Sequence, residues 1–275
     1  HKEWIDGFMQ HSSHGIELLS LPGRHWKWRM HGAAVWFANQ LREINELPDL
    51  LLCTDMMDVS VLKALLPNSW NHIPIVLYFH ENQISYPWSP TDKDPDLQRD
   101  RHYGYINYTS SLVADFVFFN SEYHRNSFLG TLPVFLNAFP DHQNSHTVEY
   151  INEKADVLPL GMEYQELEMH KTEVENEHPI ILWNHRWEFD KGPELFFETL
   201  FRIKEQKIPF QLVVLGKSYK NSPKIFDKAK KVLKDEILHW GYLESKNDYY
   251  KWLWKADLLP VTSIQDFFGI SVVQA

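Results

Sequence analysis

From residue 180 onward the chain alternates short apolar runs with amphipathic stretches: IILW, PELFFETLFRIKEQ, FQLVVLG, PKIFDKAKKVLKD, ILHWG, DYYKWLWKA and DLLPVT. No other feature restricts the fold as strongly. The stretches between the apolar runs are long enough to cross a sheet and return, so the pattern predicts consecutive βαβ units, a parallel sheet and an α/β fold.

The first half follows the same plan with longer connections. Residues 4–9 read as a helix, 15–22 (GIELLSLP) as a short buried strand, 33–44 as an amphipathic helix, 48–54 as a strand, and 59–67 as a helix ended by Pro67. Residues 73–79 are an apolar strand. Residues 103–130 carry a helix, a strand ending at Phe119, and a loop at Asn120 and Ser121 that opens another helix, with Ser121 as its cap and His124 and Arg125 in its first turns. At 275 residues and 44% hydrophobic, the chain has material for two α/β domains. The expected layout is an N-terminal Rossmann-like domain over residues 1–160, a polar, glutamate-rich linker over 161–178, and a C-terminal Rossmann-like domain over 179–275. A doubly wound domain opens on a buried strand, whereas this chain opens on His1-Lys2-Glu3-Trp4, and Ala275 falls inside an expected helix. The expectation is therefore that a first strand and the closing C-terminal helices are missing.

Several function classes are disfavoured. Neither GxGxxG nor GxxxxGK[ST] occurs, which argues against a dinucleotide dehydrogenase and a P-loop NTPase. A formal charge of −10 argues against general attraction to nucleic acid, so an RNA partner must be met by a local basic surface. The single Cys53 has no internal disulfide partner and no apolar run approaches a membrane span, so a cytoplasmic setting without membrane contact is expected. HENQI (residues 80–84) has Ile84 where a zinc HExxH motif needs histidine, and TDKDPDLQRD (91–100) lacks the glycine and closing glutamate of a calcium loop. The latter reads as a solvated loop.

Three stretches carry candidate chemistry. In PIILWNHRWEFDKGP (residues 179–193) a buried strand runs into a polar turn, and Pro193 opens a helix there. Unpaired N–H groups and the helix dipole make such a turn an anion site, and Arg186 and Lys191 suit a diphosphate; a merely solvated charged loop is the alternative. Residues 80–82 (His80, Glu81, Asn82) follow the strand at 73–79, where the ligand crevice of an open α/β sheet lies, although His80 also suits a loop-capping role. In GRHWKWRMH (23–31), Arg24, Lys27 and Arg29 alternate with Trp26 and Trp28. That is a loop that either grips phosphates and stacks bases or plugs the core with its indoles while its cations stay wet.

Arg-x4-Lys-Gly after one strand and Asp-x-Phe-Gly-x4-Gln after a later one resemble the donor half of retaining family 4 glycosyltransferases of the GT-B type. More narrowly, LPGRHWKWRMHG, YFHENQISYP, LVADFVFFNSEYHRNSF, LWNHRWEFDKGPELFF and LHWGYLESKNDYY together resemble the tRNA-queuosine α-mannosyltransferase group. The resemblance implies two Rossmann-like domains facing a cleft and transfer of mannose from GDP-mannose, with retention and without a metal or other cofactor, to queuosine in tRNA; a glycosyltransferase with another sugar nucleotide or a non-RNA acceptor, and a catalytically inactive sugar-nucleotide or RNA-binding module, are the alternatives. It implies donor contacts from Arg186, Lys191, Gly192, Phe267, Phe268, Gly269 and Gln274, and catalytic roles for Asp266, His80 and Glu81. Arg24, Trp26, Lys27, Trp28, Arg29 and Asn82 fall to the acceptor RNA. Asp266 and Gln274 stand where the family usually has glutamates, and a neutral amide oxygen at 274 accepts a weaker hydrogen bond than a carboxylate.

Overall fold

Two parallel sheets organise the chain, one in each half. The computed structural model describes residues 2–97, 99–172, 175–219 and 222–275, and it divides into two compact units, His1–Gly161 and Met162–Ala275.

The first unit runs α1 (Lys2–His11), α2 (Trp26–Leu41), β1 (Leu51–Thr54), α3 (Val59–Leu65), β2 (Ile75–Phe79), α4 (Arg101–Val113), β3 (Phe116–Phe119), α5 (Glu122–Asn137), α6 (Thr147–Glu153) and β4 (Ala155–Val157). Its strands lie side by side in chain order, all parallel, with Leu77 opposite both Cys53 and Val117. Every residue of β2 is buried, as expected of a strand covered on both faces. Leu77, Phe79, Val117 and Phe119 meet Phe128 and Leu132 of α5 in the main core. Ser121 caps α5 as expected, its hydroxyl accepting from the His124 amide at 3.0 Å.

Two expectations are corrected here. Residues 15–22 form no strand: Leu19 and Leu21 lean on the core while Leu18 faces solvent, so the run packs without pairing. Residues 26–31 form no loop, because the buried stripe of Met30, Ala33, Ala34, Ala38 and Leu41 has helical spacing and draws the preceding tryptophans into the first turns of α2.

The second unit runs α7 (Tyr164–Glu168), β5 (Ile180–Asn184), α8 (Pro193–Glu205), β6 (Gln211–Leu215), α9 (Ile225–Val232), β7 (Ile237–Gly241), α10 (Lys246–Lys255) and α11 (Ile270–Gln274). The sheet order is β5-β6-β7, parallel throughout. Phe196, Phe197 and Leu200 of α8 pack with Phe226 of α9 in one cluster. Tyr250 and Leu253 of α10 pack in another, together with Leu167 of α7. The segment read as a linker thus contributes a buried side chain to the second unit; Glu173 and Val174 within it, like Gln98 in the acidic loop, lie outside the described residues. DLLPVT is not a full strand. Leu258 makes one parallel bridge to Ile181, and Pro260, without an N–H, does not extend the ladder. Among the described residues no helix is long and apolar enough to cross a membrane.

Candidate functional site

In the second unit two glycines set the geometry. At Gly192 (φ 65°) a Cβ would fall 2.1 Å from the Thr262 carbonyl oxygen, and at Gly216 (φ 103°) one would fall 2.0 Å from that of His185. Only glycine fits such approaches, which bring the turn after β5, the end of β6 and the segment before α11 together. The resulting cavity, about 460 Å³, is lined by Asn184, His185, Arg186, Lys191, Gly216, Tyr249, Asp266, Gly269 and Ser271, among others.

Lys191 is buried, and its ammonium lies 2.7 Å from a carboxylate oxygen of Asp190 and 2.7 Å from one of Asp266. Burial opposes the charge, but hydrogen bonds and attraction from Asp190 and Asp266 outweigh it and hold the pKa above the ordinary lysine value. Arg186 is more open and meets Glu188 at 3.1 Å. Asp266 Oδ2 is buried without a partner among the described residues.

Gln274 stands one bond behind the cavity. Asn184 Nδ2 donates to Tyr249 Oη (2.9 Å) and to the Ser271 carbonyl (3.0 Å), and the Tyr249 hydroxyl donates to Gln274 Oε1 (2.9 Å). Of the donor residues expected from sequence, Arg186, Lys191 and Gly269, with Asp266, line the cavity; Gly192 packs beneath it and Phe267 is buried. Sequence reading missed Asn184, His185, Tyr249 and Ser271. For the first two the signal was present in their position, at the end of a buried strand beside Arg186.

In the first unit the His80 peptide is held on both sides. Its N–H donates to the buried carboxylate of Asp55 (2.9 Å), and its carbonyl accepts from Asn120 Nδ2 (2.9 Å), whose Oδ1 lies 2.8 Å from His124 Nδ1. The His80 imidazole lies edge-on to Trp4 at 5.0 Å and to Tyr78 at 4.9 Å. Burial pushes His80 and His124 each down to about 3, so both rings are neutral at neutral pH, and it pushes Asp55 up to about 7 against the hydrogen bonds it accepts. Glu81 Oε1 accepts from Gln83 Nε2 at 3.0 Å. Asn82, expected at the acceptor, is fully buried, and its Oδ1 accepts from the amides of Ile84 and Ser85 and closes the loop.

The basic patch divides. Lys27 bonds to Asp92 at 2.8 Å and to Asp94, with its ammonium 5.3 Å from the Trp88 ring, so it ties α2 to the acidic loop that the sequence reading left in solvent. Trp26 packs on Tyr103 with ring centroids 5.1 Å apart. Arg24 is exposed, Arg29 is partly buried, and Trp28, 65% exposed, lies over Gly32. A separate cavity of about 590 Å³ between α4 and the loop after α5 includes Tyr105, Phe139 and His142, none of them singled out from sequence.

A family model described as tRNA-queuosine alpha-mannosyltransferase N-terminal matches residues 1–162, and one described as glycosyl transferases group 1 matches residues 165–275. A Drosophila melanogaster protein named tRNA-queuosine alpha-mannosyltransferase is 33% identical over 284 residues, an alignment spanning 100% of this chain and 73% of that protein. Among solved structures, the fold is similar to a UDP-forming alpha,alpha-trehalose-phosphate synthase from Burkholderia xenovorans (TM-score 0.59, 13% identity, 88% of this chain and 59% of that one). It is also similar to the catalytic domain of starch synthase IV from Arabidopsis thaliana (TM-score 0.53, 13% identity, 88% of this chain and 57% of that one). The chain spans less than two thirds of those two structures, and the likeness is one of α/β, GT-B-type fold.

Proposed function

The chain belongs to the tRNA-queuosine alpha-mannosyltransferase family, and from that premise we propose that it transfers mannose from GDP-mannose, with retention, to queuosine in tRNA. The observation that carries the donor half of this reading is the cavity of the second unit, where Arg186 and the buried, charged Lys191 stand beside Asp266. As the glycosidic bond breaks, negative charge builds on the departing diphosphate. Arg186 stands to meet that charge, and Lys191, shared by Asp190 and Asp266, meets it by exchanging one of those bonds. Asp266 Oδ2, an acceptor without a partner among the described residues, suits a hydroxyl of the donor. For the acceptor half, His80 and Glu81 are assigned to orienting a reacting hydroxyl, and a neutral His80 ring is in the right state to exchange hydrogen bonds without adding charge.

The test is mass spectrometry of tRNA nucleosides after incubating queuosine-containing and queuosine-lacking tRNA with a panel of sugar nucleotides. The expected result is a hexose on queuosine with GDP-mannose alone. Transfer from another donor, or onto tRNA without queuosine, would replace the reading with a different glycosyltransferase.

A further inference from the structure

His185 is held through both its backbone and its ring, and its Nε2 is buried without a partner among the described residues. Its carbonyl accepts from Trp183 Nε1 (3.1 Å) and sits against Gly216, where any Cβ would collide with it. The ring meets the Trp183 indole edge-on at 5.3 Å, and Nδ1 lies 3.2 Å from Ser271 Oγ. The residue is only 5% exposed, yet its Nε2 has no partner among the described residues, and His185 lines the cavity that holds Arg186 and Lys191. A buried polar atom left unpaired is costly, and proteins retain one where a ligand completes it.

We propose that His185 Nε2–H donates a hydrogen bond to a phosphate oxygen of a nucleoside diphosphate bound in this cavity, making His185 a third phosphate ligand beside Arg186 and Lys191. This assignment rests on the nucleotide-sugar reading above and deepens it. The bond takes the tautomer in which the Ser271 hydroxyl donates to Nδ1 and the ring proton stays on Nε2, a bonding that the 3.2 Å contact accommodates. The ligand class follows from the wall: Arg186 and Lys191 carry its positive charge, Lys191 sharing its own with Asp190 and Asp266, and a buried neutral N–H adds a directional bond to an anion. Burial also lowers the ring's pKa, the pull of Asp266 only partly offsetting it, so the ring donates without bringing a further positive charge into the site.

The experiment is calorimetric titration of the full chain with GDP, for wild type, His185→Ala and His185→Gln. Gln places an amide N–H near the position of Nε2. Loss of a hydrogen bond to a charged group predicts weakening of about ten- to a hundredfold in the Ala variant, with most of the affinity kept in the Gln variant. A second readout stands if His185→Ala does not fold: in wild type labelled with 15N-histidine, the Nε2 signal should be that of a protonated nitrogen and should move on adding GDP. Wild type binding GDP with both variants unchanged, or an Nε2 that is unprotonated or unmoved, overturns the assignment alone. A wild type that binds no GDP overturns the nucleotide-sugar reading, and the assignment with it.

Discussion

The ammonium of Lys191 lies 2.7 Å from Asp266 Oδ1, across 75 positions of sequence, and equally close to Asp190. Both Lys191 and Asp190 are buried, so removing the ammonium leaves two carboxylates facing each other without a counter-charge. Lys191→Ala is expected to cost the second unit about 3–5 kcal/mol, besides abolishing GDP binding. Arg186 is more than half exposed, so Arg186→Ala should keep stability within about 0.5 kcal/mol of wild type while weakening GDP at least ~tenfold. Urea melts paired with calorimetry separate the two. A wild-type midpoint for Lys191→Ala would show that the ion triad does not hold these loops.

Gln274 accepts from Tyr249, a residue of the cavity wall, so a substitution there acts through that hydroxyl as well as on any ligand it reaches. A carboxylate at 274 accepts the Tyr249 hydroxyl more strongly and keeps a second oxygen for a ribose hydroxyl. Charged hydrogen bonds exceed neutral ones by about 1 kcal/mol, so Gln274→Glu should tighten GDP-mannose binding roughly fivefold. Equal or weaker affinity in that variant would place the ribose away from residue 274.

The sequence made the second sheet legible because β5 and β6 are apolar on both faces and α8 opens on an unambiguous signal, Pro193. It misled where apolar character came without hydrogen-bond capacity or pairing. DLLPVT has the composition of a strand but carries Pro260, and residues 15–22 are apolar enough for a short buried strand yet find no edge to join. In the candidate site, charge was easy to see and burial was not. Arg186, Lys191 and Asp266 were visible as charges, while Asn184, His185, Tyr249 and Ser271 meet only because Gly192 and Gly216 allow backbone contacts that no linear pattern encodes.

The buried pair His124 and Asp55 should give the first unit opposing pH dependences. His124 falls from 6.5 to about 3 on folding, so its contribution is fully present above 6.5 and is lost as pH falls toward 3. The slope is up to about 1.4 kcal/mol per pH unit. Asp55 rises from 3.8 to about 7, so its contribution is present below 3.8 and is lost as pH rises through 7. Denaturant melts across this range should therefore show His124→Gln losing less stability on acidification than wild type. Asp55→Asn should gain on wild type as pH rises. Parallel stability curves for wild type and His124→Gln would mean that the ring is not kept neutral in the folded chain.

The last prediction concerns the basic stretch that leads from Arg24 into the first turn of α2, where the structure separates cations that sequence treats as equivalent. Lys27 is neutralised by Asp92 and Asp94, and it holds their loop against the helix. Arg24 and Arg29 have no such acid pair among the described ion pairs, and Trp28 stands 65% exposed beside them. If tRNA docks here, each arginine that meets a phosphate contributes about 0.7–0.9 to the log–log slope of affinity against salt, so the double variant Arg24→Ala/Arg29→Ala should flatten the slope by roughly 1.5. Lys27→Ala should leave the slope nearly unchanged and lower the melting temperature instead, because two acids lose their shared counter-charge. Trp28→Ala should weaken binding by about 1–3 kcal/mol if the indole stacks on a base, with little change in melting temperature. Filter-binding titrations over a salt series, set beside thermal melts, read both quantities on the same preparations. A Lys27→Ala slope as flat as that of the double variant would mean that tRNA competes successfully with Asp92 and Asp94 for the ammonium, and a double variant with wild-type affinity and slope would move the tRNA surface off α2 altogether.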